Sequence, residues 1–164
     1  MSKPGVTLVF GASGYIGRRL VPHLVNAGRS VRAAARDTDA LKSQAWQEVE
    51  CVRADALEPD TLPAAVEGVG TAFYLVHSMA AGPEFGVLDL LAARHFRDAA
   101  AAAGVGRIVY LGGLIPDKPE SEHLRSRYET GECLRAGSVP VTELRAAMII
   151  GPGSAAFEVM RDLV

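Results

Sequence analysis

Val6-Thr7-Leu8-Val9-Phe10-Gly11-Ala12-Ser13-Gly14-Tyr15-Ile16-Gly17 decides the fold. An apolar run breaks into three glycines and resumes with helical periodicity, which reads as strand, turn and helix. The continuous apolar run suits a strand buried on both faces. Ile16, Leu20, Leu24 and Val25 recur on one side of the helix that follows. The three glycines do different things. Gly11 permits a tight exit from the strand, Gly14 lets the backbone approach a pyrophosphate, and Gly17 lets the helix sit close on the sheet. The helix N-terminus then presents free N–H groups and about half a positive charge to an anion. Ser13, Tyr15 and Ile16 complete the expected pyrophosphate turn. A strand before and a helix after favour a nucleotide site over an ordinary glycine turn.

Outward from this stretch, strand and helix alternate six times with short connections. Further strands are predicted at 30–35, 49–53, 71–76, 107–111 and 141–146, with helices at 39–46, from about 59, at 87–104 and at 124–136. This pattern predicts an α/β fold of the Rossmann type. Its doubly wound parallel sheet has about six strands in the order 3-2-1-4-5-6, with helices on both faces. Residues 1–150 read as one NAD(P)-binding domain and 151–164 as the start of a further region.

With 49% hydrophobic residues and a net charge of −2, the chain has the composition of a packed domain, neither a disordered segment nor an electrostatic nucleic-acid binder. Its basic residues are mostly arginines and are scattered. Cys51 and Cys133 are lone thiols in different elements, so no disulfide, metal or nucleophile site is expected. The first apolar run is short and flows into the glycine turn, which does not suit a signal peptide. The most apolar helix is interrupted by Asp89, Arg94, His95, Arg97 and Asp98, so it packs and does not span a membrane. A cytoplasmic location is expected, with a small-molecule substrate or none as partner and an oligomer left open.

The strand ends supply the candidate contacts. An acid at the end of the second strand accepts hydrogen bonds from the adenosine ribose, whereas an arginine accommodates a 2′-phosphate. Here Ala35 is neutral, Arg36 is cationic, and Asp37 is directed elsewhere by the one-residue step. NADP(H) is therefore the preferred cofactor, with NAD(H) the alternative. Asp55 and Ala56 follow the third strand, Leu75 and Val76 end the fourth, and His77 and Ser78 follow it, where a doubly wound sheet delivers ligand contacts. His77 reads as a pocket-lining residue, because a general base needs an orienting partner that no neighbouring residue supplies.

Gly11-Ala12-Ser13-Gly14-Tyr15-Ile16-Gly17, Arg36, Asp55, Ile108-Val109-Tyr110-Leu111-Gly112-Gly113 and Val139-Pro140-Val141-Thr142-Glu143-Leu144-Arg145 together resemble the atypical short-chain dehydrogenase/reductases of the NmrA-like type. The resemblance implies an NADP(H)-dependent oxidoreductase lineage, Asp55 against the adenine amino group, and a C-terminal substrate lobe that this sequence is expected to lack. It also implies a Tyr with Lys four residues later and a Ser after the fifth strand. Here Tyr15, Tyr74, Tyr110 and Tyr128 are followed at that spacing by Arg19, Ser78, Leu114 and Glu132, and Gly112-Gly113 take the place of the Ser. Tyr128, on the expected helix, remains the candidate catalytic residue, and Glu132 beside it would raise the phenol pKa. The alternative to a reductase is a non-catalytic, NADP(H)-sensing regulatory or assembly protein.

Overall fold

The computed structural model describes residues 5–77, 84–115 and 121–162. Six strands form one sheet: β1 (Val6–Phe10), β2 (Val31–Ala35), β3 (Val49–Arg53), β4 (Val69–Tyr74), β5 (Arg107–Gly113) and β6 (Val141–Ala146). All neighbours are parallel and the order is β3-β2-β1-β4-β5-β6, as expected. The helices are α1 (Tyr15–Asn26), α2 (Asp39–Lys42), α3 (Leu62–Val66), α4 (Phe85–Ala102), α5 (Glu122–Arg135) and α6 (Ala155–Asp162).

Alternation along the central strands feeds two cores. Leu8 and Phe10 of β1 join Ala34, Tyr74, Ile108 and Tyr110 beneath α3, α4 and α5, whereas Val9 joins Val31, Ala33 and Ala35 with Val21 of α1 and Leu41 of α2. The first core is centred on aromatic rings. Phe96 of α4 lies 4.9 Å from both Phe10 and Tyr74, and Tyr74 reaches Tyr110 at 6.1 Å. All four rings are essentially excluded from water.

Several element boundaries differ from the sequence expectation: β4 and α4 each lie two residues earlier than expected at both ends, β2 begins one residue later, and three further shifts involve a turn, a strand pairing and a cap. Helix α2 stops at Lys42, short of Trp46, because Ala45 and Glu48 take left-handed backbone (φ 50° and 59°) to turn the chain into β3. Strand β5 continues through Gly112 and Gly113, which pair with Arg145 and Ala146 of β6. Helix α5 begins at Glu122 because the Ser121 hydroxyl accepts from the Leu124 N–H at 3.2 Å. This places His123 in its first turn.

A polar clamp had no signal in the sequence. Arg32 of β2 is 9% exposed and donates to the carbonyls of Ala64, Ala65 and Glu67 at 3.2, 3.0 and 2.7 Å, while its Nε pairs with Glu50 at 2.8 Å. It satisfies the carbonyl end of the short helix α3. Truncating the central ring of the other core, in Phe96→Ala, should cost about 3–5 kcal/mol of unfolding free energy. Urea denaturation measures it, and a loss below about 1 kcal/mol would show that the aromatic cluster is not the keystone.

Candidate functional site: a crevice at the switch of strand order

Between β1 and β4 the strand order reverses, and the loops leaving their carboxyl ends diverge to opposite faces. A crevice opens at such a point. It has a volume of about 350 Å³ here. Gly11, Ser13 and Gly14 floor it, Ala35 and Arg36 end β2 at one side, Asp55 and Ala56 follow β3, and Leu75, Val76 and His77 follow β4. Leu88 and Ala92 of α4 complete the wall. Nine residues expected from sequence thus share one cavity. Tyr15, Ile16 and Gly17 form the first turn of α1 behind it, and Ser78 lies outside the described residues.

The turn has the shape that a pyrophosphate requires. Gly11 has φ +92°, and a Cβ there would stand 3.1 Å from the Leu75 carbonyl carbon. A side chain on Gly17 would begin 2.5 Å from Gly11 O and 2.6 Å from Ala12 Cα, so the close approach that requires this glycine is to the turn itself. Gly14 is the N-cap of α1 and no side chain caps the helix, which leaves first-turn N–H groups for an external anion. These residues fit a dinucleotide.

At the adenosine side, Asp37 Oδ1 accepts from the Asp39 N–H at 2.8 Å and so caps α2. Arg36 is exposed on the cavity rim, and no hydrogen bond or ion pair engages it among the described residues. Asp55 holds a turn by accepting from the Leu57 N–H through Oδ1 at 2.9 Å. Its second carboxylate oxygen faces no partner in that turn. His95 of α4 braces the same loop through Ala56 O at 2.7 Å.

At the other end the structure supplies what the sequence could not. His77 Nδ1 lies 2.5 Å from Asp89 Oδ2, and His77 Nε2 lies 3.0 Å from Nδ1 of His123. Ser126 also donates to Asp89 Oδ2, at 2.9 Å. Asp89 is 3% exposed, a carboxylate on an otherwise apolar helix face. That acid amid Val87, Leu88, Leu90 and Leu91 was the available signal, together with a histidine just inside a Ser-capped helix. Nothing in their spacing links residues 77, 89 and 123. Burial, then His77 and Arg127, push the His123 imidazole below its usual range, with Asp89 opposing.

Tyr128 lies elsewhere. It is 44% exposed and shares an outward groove with Arg94, Arg97, Glu132 and Cys133, between α4 and α5, and is not among the crevice residues. Glu132 is engaged by Arg135 at 2.5 Å. Burial pushes the phenols of Tyr74 and Tyr110 upward, so neither is a proton donor near neutrality. Burial likewise raises both thiols, Cys51 and Cys133. The glycine at the expected Ser position has a packing reason. A Cβ on Gly112 would stand 2.5 Å from Oε1 of Glu143, a side chain 8% exposed and held through Oε2 by Arg135 at 2.7 Å.

Residues 11–146 match the family described as NAD(P)H-binding. The chain belongs to that family. Cinnamoyl-CoA reductase 1 of Oryza sativa subsp. japonica is 32% identical over 109 residues, which are 62% of this chain and 32% of that protein. Among solved structures, MoeE5 in complex with UDP-glucose and NAD is 26% identical with a TM-score of 0.77, over 96% of this chain and 59% of that one. Citrobacter sp. triphenylmethane reductase complexed with NADP(H) shares the fold at 24% identity and TM-score 0.74, over 88% of this chain and 50% of its own. These solved structures share the fold of the NAD(P)H-binding chain. The chain spans 32% to 59% of the length of the three. No helix among the described residues is long and apolar enough to cross a membrane.

The lowered His123 value gives a signed expectation. Charging this ring costs more in the folded chain than in the unfolded one, so its contribution to stability is complete above about pH 6.5 and is lost as pH falls through the lowered folded value. Urea midpoints measured from about pH 8 to about pH 5 should fall for the parent and fall less for His123→Gln. Parallel curves would show that the ring is not coupled to folding.

Proposed function

We propose that this chain is the cofactor-binding part of an NADP(H)-dependent oxidoreductase that acts on a small-molecule substrate. The observation that carries the reading is the crevice. An uncapped helix N-terminus and a glycine turn floor it, and at its rim an exposed Arg36, unpaired among the described residues, stands beside a neutral Ala35. The turn's N–H groups bind a pyrophosphate, Arg36 meets a 2′-phosphate, and Asp55 accepts from the adenine edge. Val76 and His77 wall the nicotinamide end. A bound reduced nicotinamide supplies a hydride. The chain's own part is to orient that group, exclude water and hold a proton.

Two observations support a second reading, in which the chain senses NADP(H) without turning it over. Tyr128 stands in an outward groove, and Glu143 fills the space at Gly112. Residues 1–150 then form the sensing unit, and residues 151–164 lead into a region that completes a partner surface or a substrate lobe.

Titration calorimetry with NADPH should register binding by the parent and a loss of at least about tenfold in Gly14→Val. Equal affinities in two folded proteins would remove the proposed site. An arginine–phosphate contact contributes about 1.5–3 kcal/mol, so Arg36→Ala should lower the NADPH-to-NADH affinity ratio by roughly tenfold to a hundredfold. A parent that prefers NADH would show that the end of β2 is misassigned. With NADPH and a panel of quinones, aldehydes and ketones, the 164-residue chain should turn over at no more than a residual rate. Robust oxidation abolished by Tyr128→Phe would return that tyrosine to the active site.

A further inference from the structure

His77 and His123 form one hydrogen-bonded unit with Asp89, and the unit's proton positions follow from what each end can accept. Asp89 Oδ2 receives the Ser126 hydroxyl at 2.9 Å and faces His77 Nδ1 at 2.5 Å. A carboxylate offers only acceptors, so His77 carries its proton on Nδ1 and, when neutral, presents a bare Nε2. That Nε2 stands 3.0 Å from His123 Nδ1. The contact needs one hydrogen, which therefore sits on His123 Nδ1. Neutral His123 is left with a bare Nε2 that no described residue bonds.

The unit reaches the crevice through His77, and His123 stands 3.0 Å beyond that ring, outside the residues that line the cavity. His77 lines the cavity beyond β4, and Leu88 of α4 lines the same wall, with Asp89 next along the helix. The first turn of α5 brings His123 over the pair, at 4.9 Å between ring centroids, and Phe85 meets the His77 ring edge-on. Three separate elements converge to hold two imidazoles in the Nδ1–H form, the less common one for a free histidine side chain. A loop histidine that merely filled space would not need this arrangement.

We propose that Asp89, His77 and His123 are a proton relay serving the crevice, with Nε2 of His123 as the atom that exchanges a proton with the substrate. His123 is then the catalytic residue, and His77 and Asp89 are positioning residues. The inference rests on the oxidoreductase reading above. Its own step is a proton transfer. The N–H bond at His123 Nε2 breaks, its electron pair stays on the ring, and an O–H bond forms on the substrate oxyanion left by hydride addition. The hydride and its electron pair come from the reduced nicotinamide that the crevice is read as holding, and water returns the proton to Nε2. A proton arriving at Nε2 lets the Nδ1 hydrogen pass to His77, which brings the positive charge beside the Asp89 carboxylate. The charged and titratable groups that face His123 are Asp89 from α4, His77 beyond β4, and Arg127 from α5, one turn along. Their summed effect with burial favours the neutral ring, so an imidazolium charged at Nε2 sheds that proton readily.

The test is nitrogen-15 NMR of the imidazoles in the 164-residue chain across pH, with NADPH affinity measured on the same preparation. Both rings should show the Nδ1–H form when neutral. Asp89→Asn should move the His77 tautomer and the His123 titration together, with His77→Gln as the second variant where Asp89→Asn fails to fold. An Nε2–H form in either ring, or a His123 titration unmoved by the variants, overturns the relay. Single-turnover NADPH oxidation with benzaldehyde should then decline as pH rises through the His123 titration. His123→Gln should abolish that limb and slow the step by about 10²–10⁴-fold, the usual worth of a general acid. A limb that survives the substitution also counts against the relay. The tautomers decide the matter at any rate of turnover. Failure of the parent to bind NADPH strikes the cofactor reading instead, and correct binding with the wrong tautomers strikes the relay alone.

Discussion

The close approach of helix α1 to the turn before it sets the geometry of everything else. A Cβ at position 17 would stand 2.5 Å from one backbone oxygen of that turn and 2.6 Å from the next α-carbon, so only a glycine lets the helix begin where it does. Displacing the helix by the width of a methyl group would move its N–H groups off the floor of the crevice and open the packing of Val21 against Val9. A single missing side chain therefore links the burial of one sheet face to the position of an anion site on its edge. Stability and binding depend on the same contact.

From that contact the crevice follows by topology. Parallel strands with right-handed crossovers on both faces must diverge where the order reverses, and the side chains at the strand ends then face one another across the gap. Local polar groups determine which of them are available. Asp37 is drawn into capping α2, which leaves Arg36 as the charge that the rim presents. Asp55 holds a turn through one carboxylate oxygen and also lines the cavity. In this fold a ligand contact is often a residue that the loop needs for one atom and can spare for another.

Local patterns made most of the architecture readable. The apolar strands, the glycine turn and the β6 run at 141–146 are each explained within about ten residues, so the strand order and nine crevice residues are legible in the chain alone. What escaped depends on contacts remote in sequence. Arg32 is buried only because the α3 carbonyls arrive from more than thirty residues away. Asp89 looked like a polar interruption of a packing helix, and its partners are separated from it by 12 and 37 residues. The expectation for Tyr128 came from a spacing rule that fixes a helix face relative to a lysine. Without that lysine the rule carries no information about direction, and the residue stands on the outer side of α5. Gly112 was legible as a departure, but its reason, the Glu143 carboxylate in the vacated volume, is a fact of β5–β6 register.

The guanidinium of Arg19 lies 3.8 Å over the Tyr15 ring and donates to the Pro152 carbonyl at 2.6 Å, and the Tyr15 hydroxyl abuts Gly151. Tyr15 is the first residue of α1, immediately after the N-cap of the pyrophosphate turn. The segment that follows β6 is thus latched to the phosphate-binding turn through one cation and one ring. A displacement of residues 151–154 would work against that stacking and that hydrogen bond, so a ligand that favoured the latched turn would be favoured by the latch in return, because linkage is reciprocal. The segment after the last strand and the turn over the first glycine share a contact at which a change in one meets the other.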